Sequence, residues 1–385
     1  MLIISSHLPS FKLASEVCQQ LTDIRISGRH LQNLTCKIGQ ELANQRDSAT
    51  AAYFDQPLPR RATVPRTPVA LACVSIDGGR MQTREQGCGS GVHSPHWRET
   101  KNALFSRMSG VSFPADPHPD LPGCYADPKR MQSLLDGVVG ENPDDQAIAE
   151  RAEKWRPEKL FRTCLSSLAD SREFGRMMAS EADSRGFYNA QKRAFVCDGL
   201  PYNWTIQEEH FRDFTPILDF VHAVEHCYEA ARASTEHNEQ AWDVHLRWAA
   251  DLWSGQVNRV IDQLEQRQME IGPPPQDPED NDPRKIIADT IRYFRNNASR
   301  MNYPTYRAEG LPATSAQMES LVKEINYRVK GSEKFWNDGE NGEAILQVRA
   351  AVLSNDHRLK RHLQNRPGSP FRSNVKAQTV LALAG

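Results

Sequence analysis

Residues 69–79 of the chain read VALACVSIDGG, a nearly continuous apolar run that ends in an aspartate and two glycines. A run of this length and composition is typical of a strand that is buried on both faces. The next residues, RMQTR at 80–84, predict an alternating partner strand joined to the first by a glycine turn. Asp77 is then expected to lie rigidly at a strand end, where Gly78 lets a phosphate backbone approach closely.

The same ending recurs later in the chain. Residues 193–197 read RAFVC and are followed by Asp198 and Gly199, and a shorter apolar run, PIL at 216–218, leads into Asp219. An Asp-Gly pair is also ordinary turn chemistry, so each pair alone has two interpretations. Two buried strands that end alike favour a shared site.

Helical spacing of apolar residues predicts helices on both sides of these strands. The spacing covers residues 9–48, with a break near Ser27, and then residues 146–183, 220–300 and 315–330. Strands mixed with helices in this order indicate a mixed α/β domain that is interrupted by an all-helical insertion.

The composition excludes several classes of protein. The 385 residues are 39% hydrophobic, which is enough for a substantial core, and the net charge of −2 excludes a uniformly basic nucleic-acid coat. No apolar run reaches the ~18 residues of a membrane span. The amino end lacks the pattern of a signal peptide, and the eight cysteines contain no C-x-x-C pair. These features predict a soluble cytoplasmic protein with reduced thiols and no membrane partner.

The predicted helix at residues 315–330 adds a third carboxylate. One face is apolar, and the adjoining face aligns Glu319 with Lys323, Asn326 and Lys330. A carboxylate beside basic and amide groups suits a site that holds a metal ion next to a phosphodiester. The alternative is a solvated Glu-Lys pair, which contributes only about 0.3–0.5 kcal/mol to helix stability.

Asp77, Asp198 and Glu319 are separated by two intervals of 121 residues, and each interval is long enough to contain inserted structure. Three converging carboxylates can hold two divalent ions, one to activate the attacking water or 3′-hydroxyl and one to stabilise the leaving oxygen. Hard oxygen ligands favour Mg²⁺ or Mn²⁺. The hypothesis is therefore a two-metal site for phosphodiester cleavage.

Three segments carry a resemblance to a known family. They are VSIDGGRMQTR at 74–84 with WRETK at 97–101, CDG at 197–199 with Trp204 and ILDFVHAVEH at 217–226, and GLP at 310–312 through Glu319 to KFW at 334–336. Together they resemble the bacterial insertion-sequence transposases of the ISKra type, which are DDE enzymes related to the Mutator superfamily. The resemblance spans residues 10–345.

The resemblance implies that Asp77, Asp198 and Glu319 form the catalytic and metal-binding triad of a ribonuclease-H-like core. Asp219 and His222 match an Asp/Cys-x-x-His signature and are implied to support the site without binding the metal. The implied reaction is cleavage at the terminal repeats of the element and transfer of the freed 3′-hydroxyl into target DNA. At least a dimer on DNA, associated with the bacterial nucleoid, is implied as well.

The implied organisation has six parts along the chain. They are an N-terminal helical DNA-contacting segment (1–55), a linker (56–68), the first part of the ribonuclease-H-like core (69–222), a helical insertion (223–300), the final part of the core with the Glu319 helix (301–345), and a basic C-terminal tail (346–385).

The distribution of charge predicts where DNA binds. Residues 301–385 contain 12 basic and 8 acidic residues, whereas residues 205–300 contain 10 basic and 18 acidic residues. We expect phosphates to contact the basic part of the chain. The candidate DNA-binding residues are Lys323, Arg328, Lys330 and Lys334, with further basic residues in the tail at Arg358, Lys360, Arg361, Arg366, Arg372 and Lys376.

The acidic insertion suggests a contact with another subunit. Its three tryptophans, Trp242, Trp248 and Trp253, have two interpretations: they stack on a flipped base, or they form core. Their helical spacing favours the core.

Two other functions stay open. Residues 222–226 read HAVEH and satisfy the H-x-x-E-H pattern of inverted zinc metallopeptidases, in which His222 and His226 share a zinc ion and Glu225 acts as the base. The helical hairpin begins almost at the first residue, which motivates a truncated or domesticated transposase that binds DNA as a regulator without cutting it.

Overall fold

A computed structural model of the chain describes residues 1–60, 62–65, 67–84, 96–129, 131, 155–235, 237–331 and 334–367. This part of the chain is a mixed α/β fold in which helices surround a six-stranded sheet. The strands are β1 (Leu71–Arg84), β2 (Trp97–Met108), β3 (Lys159–Ser167), β4 (Lys192–Cys197), β5 (Thr215–Leu218) and β6 (Phe335–Asn337).

The sheet has the strand order β3-β2-β1-β4-β5. Strands β1, β2 and β3 are antiparallel neighbours, while β4 and β5 run parallel to β1. The last strand, β6, pairs in parallel with the far end of β1 at residues 82–84. Strand β1 is therefore central and has β4 and β6 on the same side, one after the other.

The glycine turn predicted after Asp77 is wrong, because β1 runs without interruption from Leu71 to Arg84. Its antiparallel partner is residues 97–108, whose register places Asp77 opposite Asn102. A strand can pass through Gly78 and Gly79 because extended backbone is open to glycine as to other residues. The parallel pairing of β1 with β4 nevertheless ends at Ile76, so Asp77 still lies at a boundary in the sheet.

The helices are, in chain order, α1 (Leu2–His7), α2 (Phe11–Thr22), α3 (Gly28–Phe54), α4 (Ser171–Ser184), α5 (Pro201–His210), α6 (Phe220–Ser234), α7 (Asn238–Trp253), α8 (Val257–Ile271), α9 (Pro283–Asn297), α10 (Tyr303–Ala308), α11 (Ala316–Val329), α12 (Asp338–Leu353) and α13 (Arg358–Asn365). The predicted hairpin is confirmed as α2 and α3, which begin at the serine caps Ser10 and Ser27. The predicted helix near 315–330 is confirmed as α11.

Two predicted segments differ from the structure. The helix predicted over residues 146–183 contains strand β3 at Lys159–Ser167 and becomes helical only at Ser171, while residues 146–154 lie outside the described part. The tail predicted to be basic and poorly patterned contains α12 and α13, and residues 368–385 lie outside the described part. Helix α12 lacks an apolar stripe because it is buried on several sides, between α3 and the sheet.

The N-terminal helices pack directly on this buried helix. Gly39 of α3 lies so close to α12 that a Cβ atom there would be 2.0 Å from the carbonyl oxygen of Ala344. Near the chain start, the Arg328 side chain of α11 donates hydrogen bonds to the carbonyl oxygens of Ser5 and Pro9. Residues 1–54 are thus joined to the sheet domain by helix packing and by buried hydrogen bonds.

The predicted all-helical stretch at 220–300 is confirmed as α6 to α9, and its helices share one hydrophobic core with β1 and β4. The core interpretation holds for Trp248 and Trp253, which are 4% and 1% exposed. The Trp253 ring packs on Phe220, with ring centroids 4.7 Å apart, and carries the Arg307 guanidinium on its face. Trp242 is partly buried against the same core.

Among the described helices, none is both long enough and apolar enough to cross a lipid bilayer. Buried cysteines occur as free thiols in the core, and these are Cys18, Cys73, Cys164, Cys197 and Cys227.

The close approach of α3 and α12 predicts a specific sensitivity to substitution. Gly39→Ala places a methyl group against backbone, which cannot move as a side chain can, so we expect a loss of about 1–3 kcal/mol in the free energy of unfolding. Gly123→Ala is the matched control, because a Cβ there meets no atom within 4 Å. Urea unfolding measures both, and equal stability of Gly39→Ala and wild type would contradict this packing.

Candidate functional site

Asp77 and Asp198 lie next to each other at the centre of the sheet. The parallel ladder between β1 and β4 ends with the pair Ile76 and Cys197; Asp77 is the next residue of β1, and Asp198 directly follows the end of β4. An Asp77 carboxylate oxygen accepts the N–H of Gly78 at 2.6 Å. The structure thus brings together two residues that are 121 positions apart in sequence.

The Asp198 carboxylate is held by the start of helix α5. Its Oδ1 accepts the N–H of Leu200 at 3.1 Å and the side-chain amide of Asn203 at 2.7 Å. Helix α5 begins at Pro201, whose missing N–H and restricted φ suit the first helical position. The short loop after the strand therefore orients the carboxylate as well as turning the chain.

Gly199 has a backbone role that the sequence did not reveal. Its φ of +89° favours glycine, and a Cβ there would lie 2.9 Å from Leu218 and 3.0 Å from Tyr293. The Tyr293 hydroxyl of helix α9 donates to the Asp198 carbonyl oxygen at 2.8 Å. The glycine thus permits close contact between this strand end and the helical insertion.

Glu319 lies on helix α11, which packs on β1, and its charged neighbours include Asp219, His222 and Glu225. Gly79 makes room for this helix, since a Cβ there would lie 3.2 Å from Asn326 Oδ1 of α11 and 2.7 Å from Thr100 Oγ1 of β2. Glu319 Oε1 and Asn326 Oδ1 are buried without a hydrogen-bond partner. The helix therefore presents two unsatisfied oxygen atoms on the face that the sequence pattern had aligned.

Asp219 connects the elements that carry the other acids. Its side chain is fully buried and its N–H donates to the carbonyl oxygen of Cys197 at 2.9 Å. Asp219 Oδ1 accepts the N–H groups of Val221 and Ser315, both at 3.1 Å, and Oδ2 accepts the Ser315 hydroxyl. One carboxylate thus caps helix α6 and holds Ser315, the residue immediately before α11.

His222 lies one turn into α6 and pairs with Glu225, with 2.9 Å between Nδ1 and Oε2. Burial alone would lower the pKa of His222, but the hydrogen bond to Glu225 and the charges of Asp219 and Asp198 raise it to about 10. His222 is therefore an imidazolium at neutral pH and partly neutralises the surrounding carboxylates.

The acidic groups are electrostatically strained. Burial, with repulsion from Asp198, raises the pKa of Asp77 to about 6. Burial, with repulsion from Asp219, raises the pKa of Glu319 to about 7. Burial also raises the pKa of Asp198, although hydrogen bonds from Leu200 and Asn203 oppose the change. Perturbed acids in one cluster are typical of functional sites.

The candidate DNA-binding residues divide into two groups. Lys323 is exposed on α11, Lys330 is exposed just after the helix ends, and Lys334 donates to the Tyr327 carbonyl oxygen at 2.9 Å. The prediction that Arg328 binds DNA is wrong, because its side chain is 2% exposed and lies between the rings of Phe11 and Trp336.

Basic residues of the predicted tail also have internal partners. Arg358 pairs with Asp356 and Glu181, and Arg366 pairs with Glu41. Of these three ion pairs, those with Glu181 and Glu41 fix α13 and the residue after it to α4 and α3. Arg372 and Lys376 lie outside the described residues.

The H-x-x-E-H segment lies beside the acidic cluster, but its groups are engaged with one another. His222 binds Glu225, and the His226 ring packs on Tyr293 with 3.9 Å between ring centroids. Within the described ranges, no group of three or more His, Cys, Asp or Glu side chains is close enough to hold a metal ion as it stands, and this applies to Asp77, Asp198 and Glu319 as well as to the H-x-x-E-H segment.

A cavity of about 660 Å³ opens next to Asp198, between α5, α6 and α9. Trp204, His226 and Tyr293 line it together with the acids Glu208, Glu225 and Asp289. Sequence reasoning missed Asn203, Tyr293 and Ser315 as neighbours of the site. Only Asn203 had a local signal, since a helix starting at Pro201 turns it back toward Asp198; the others are placed by tertiary contacts.

No family model matches this chain, and no curated protein has a significantly similar sequence.

Strain among the acids predicts a pH-dependent stability. Asp77 titrates in the folded state near pH 6 and, unfolded, near its ordinary 3.8, so its ionisation destabilises the fold increasingly between these values. Asp77→Asn should therefore raise the free energy of unfolding at about pH 8 in metal-free buffer, by at most about 3 kcal/mol. The gain should vanish toward about pH 4. Thermal melting across this range measures it, with exposed Asp47→Asn as control. A gain in the free energy of unfolding that does not vary with pH would contradict the conclusion that ionised Asp77 destabilises the fold.

Proposed function

We propose that this protein is a DDE-type DNA transposase that cleaves phosphodiester bonds at the ends of an insertion sequence and transfers the strand into target DNA. One observation carries the proposal. Asp77 and Asp198 lie side by side on neighbouring parallel strands, and Asp219 ties the second of these strands to the helix that bears Glu319.

The sheet supports a ribonuclease-H-like core as the finer description of the fold. Three antiparallel strands come first in the chain, the first of them is central, and two further strands run parallel to it on its other side. The acids lie on the central strand, on the adjacent parallel strand and on a late helix. A helical insertion separates the second acid from the third.

The chemistry of the donors fits Mg²⁺ or Mn²⁺. Asp77, Asp198 and Glu319 offer hard carboxylate oxygens, and Glu319 Oε1 is buried without a partner. These residues would hold the ions, with two expected. When bound, the ions supply positive charge that activates the attacking hydroxyl and stabilises the leaving oxygen.

Neighbouring groups of the protein orient the carboxylates and offset part of their negative charge. The N–H of Gly78 orients the Asp77 carboxylate, while Asn203 and the start of α5 orient Asp198. The imidazolium of His222, fixed by Glu225, limits the repulsion among the acids before DNA is bound. Its role in the proposal is support of the site, as is that of Asp219.

DNA is the proposed partner. Lys323 is exposed on the helix that carries Glu319 and Lys330 is exposed just after its end, so a phosphate backbone that follows this helix passes the acids. Terminal repeats and target DNA would occupy this surface, with at least two copies of the chain needed to join two ends. Association with the nucleoid follows from the same proposal.

Cleavage of DNA tests the proposal. The substrate is a labelled duplex from the DNA flanking the gene, incubated with purified full-length protein in Mg²⁺ or Mn²⁺. Because each acid is needed to hold the ions, Asp77→Asn, Asp198→Asn and Glu319→Gln should each slow cleavage by at least about a hundredfold. The variants should still bind the duplex.

Glu324→Gln is the matched control, since Glu324 lies on the same helix but pairs with Arg162. Its cleavage rate should stay near that of wild type. Sequence-specific binding without cleavage by wild type would favour the binding-only regulator instead. Bound zinc, with peptidase activity lost in Glu225→Gln, would favour the metallopeptidase.

A further inference from the structure

Asp219 makes contacts that join two distant parts of the site. Its backbone N–H donates to the carbonyl oxygen of Cys197, the residue before Asp198. Through its side chain it binds both the N–H and the hydroxyl of Ser315, the residue before α11. We call the pair of side-chain contacts the Asp219–Ser315 clip.

The clip acts on Glu319 through a single helical turn. The N–H of Met318 donates to the Ser315 carbonyl oxygen at 2.6 Å, and the N–H of Glu319 reaches the same oxygen at 3.3 Å. A displacement of Ser315 therefore moves the start of the helix and the Glu319 backbone with it. The short chain of contacts leaves little freedom between Asp198 and Glu319.

We propose that Asp219 and Ser315 are positioning residues that set the separation of Asp198 and Glu319, and so set the affinity of the site for its divalent ion. This inference rests on the proposed function. It assigns to Asp219 a specific task beyond general support, and it adds Ser315, which the sequence motifs did not single out. Residues that orient metal ligands commonly change metal affinity by about 10–100-fold when they are replaced.

The chain contains a matched control of the same chemistry. Asp183 on helix α4 accepts the N–H of Thr63 at 3.0 Å and its hydroxyl at 2.7 Å, which repeats the Asp219–Ser315 clip away from the acids. Variants of this second pair lose equivalent hydrogen bonds without touching the site. Any effect that both pairs share reports only general stability.

The experiment compares Ser315→Ala and Asp219→Asn with Thr63→Ala and Asp183→Asn in the full-length protein. Ser315→Ala removes one hydroxyl and leaves every carboxylate in place. Any change in metal affinity then comes from a changed position of α11 and not from a lost charge. The first readout is the Mn²⁺ concentration that gives half of the metal-induced rise in melting temperature. The second is the Mn²⁺ concentration that half-saturates cleavage of the labelled duplex.

We expect Ser315→Ala and Asp219→Asn to raise both concentrations about tenfold or more, while the control variants lower the melting temperature without raising either. A metal dependence for the site variants equal to that of the controls would overturn the inference. If Mn²⁺ stabilises wild type but not Asp77→Asn, and wild type cuts no DNA, the proposed function fails. The Mn²⁺ dependence of the melting temperature then tests by itself whether the Asp219–Ser315 clip sets metal affinity. If Mn²⁺ does not stabilise wild type, both proposals fail.

Discussion

The parallel pairing of β1 with β4 is the constraint on which the rest of the structure depends. It buries two apolar strands against each other and ends at Ile76 and Cys197, so the next residue on each strand is an aspartate. Further along β1 the same side is taken up by β6. The interval between the two partners leaves an opening in the sheet, and Asp77 and Asp198 lie at its edge.

Placing several carboxylates at this opening costs folding free energy, because burial and mutual repulsion disfavour their ionised forms. The structure meets that cost with local hydrogen bonds and with the imidazolium of His222. Asp219 differs from the other acids, since both of its oxygens are fully occupied by Val221 and Ser315. The contacts of Asp219 hold helices in place, whereas Glu319 Oε1 is buried without a hydrogen-bond partner.

Elements far apart in the chain enclose the site. The insertion reaches Asp198 through Tyr293 and shares the core of the sheet, so it is not an appended unit. The N-terminal helices reach α11 through Arg328, which lies between two aromatic rings and binds main-chain carbonyls. The N-terminal helices are thereby held against the helix that carries Glu319.

Local sequence signals were sufficient to predict the apolar runs before Asp77 and Asp198, the N-terminal hairpin, the long helical stretch and the aligned face of α11. Tertiary contacts set which strands are neighbours, the pairing of β1 through two glycines with residues 97–108, and the burial of Arg328 and of helix α12. Strand pairing and burial are set by contacts between residues distant in the chain, and local spacing carries no information about the partner. For the same reason the acids could be selected as candidates from their strand ends and helix face, while Ser315, whose only signal is its contact with Asp219, could not.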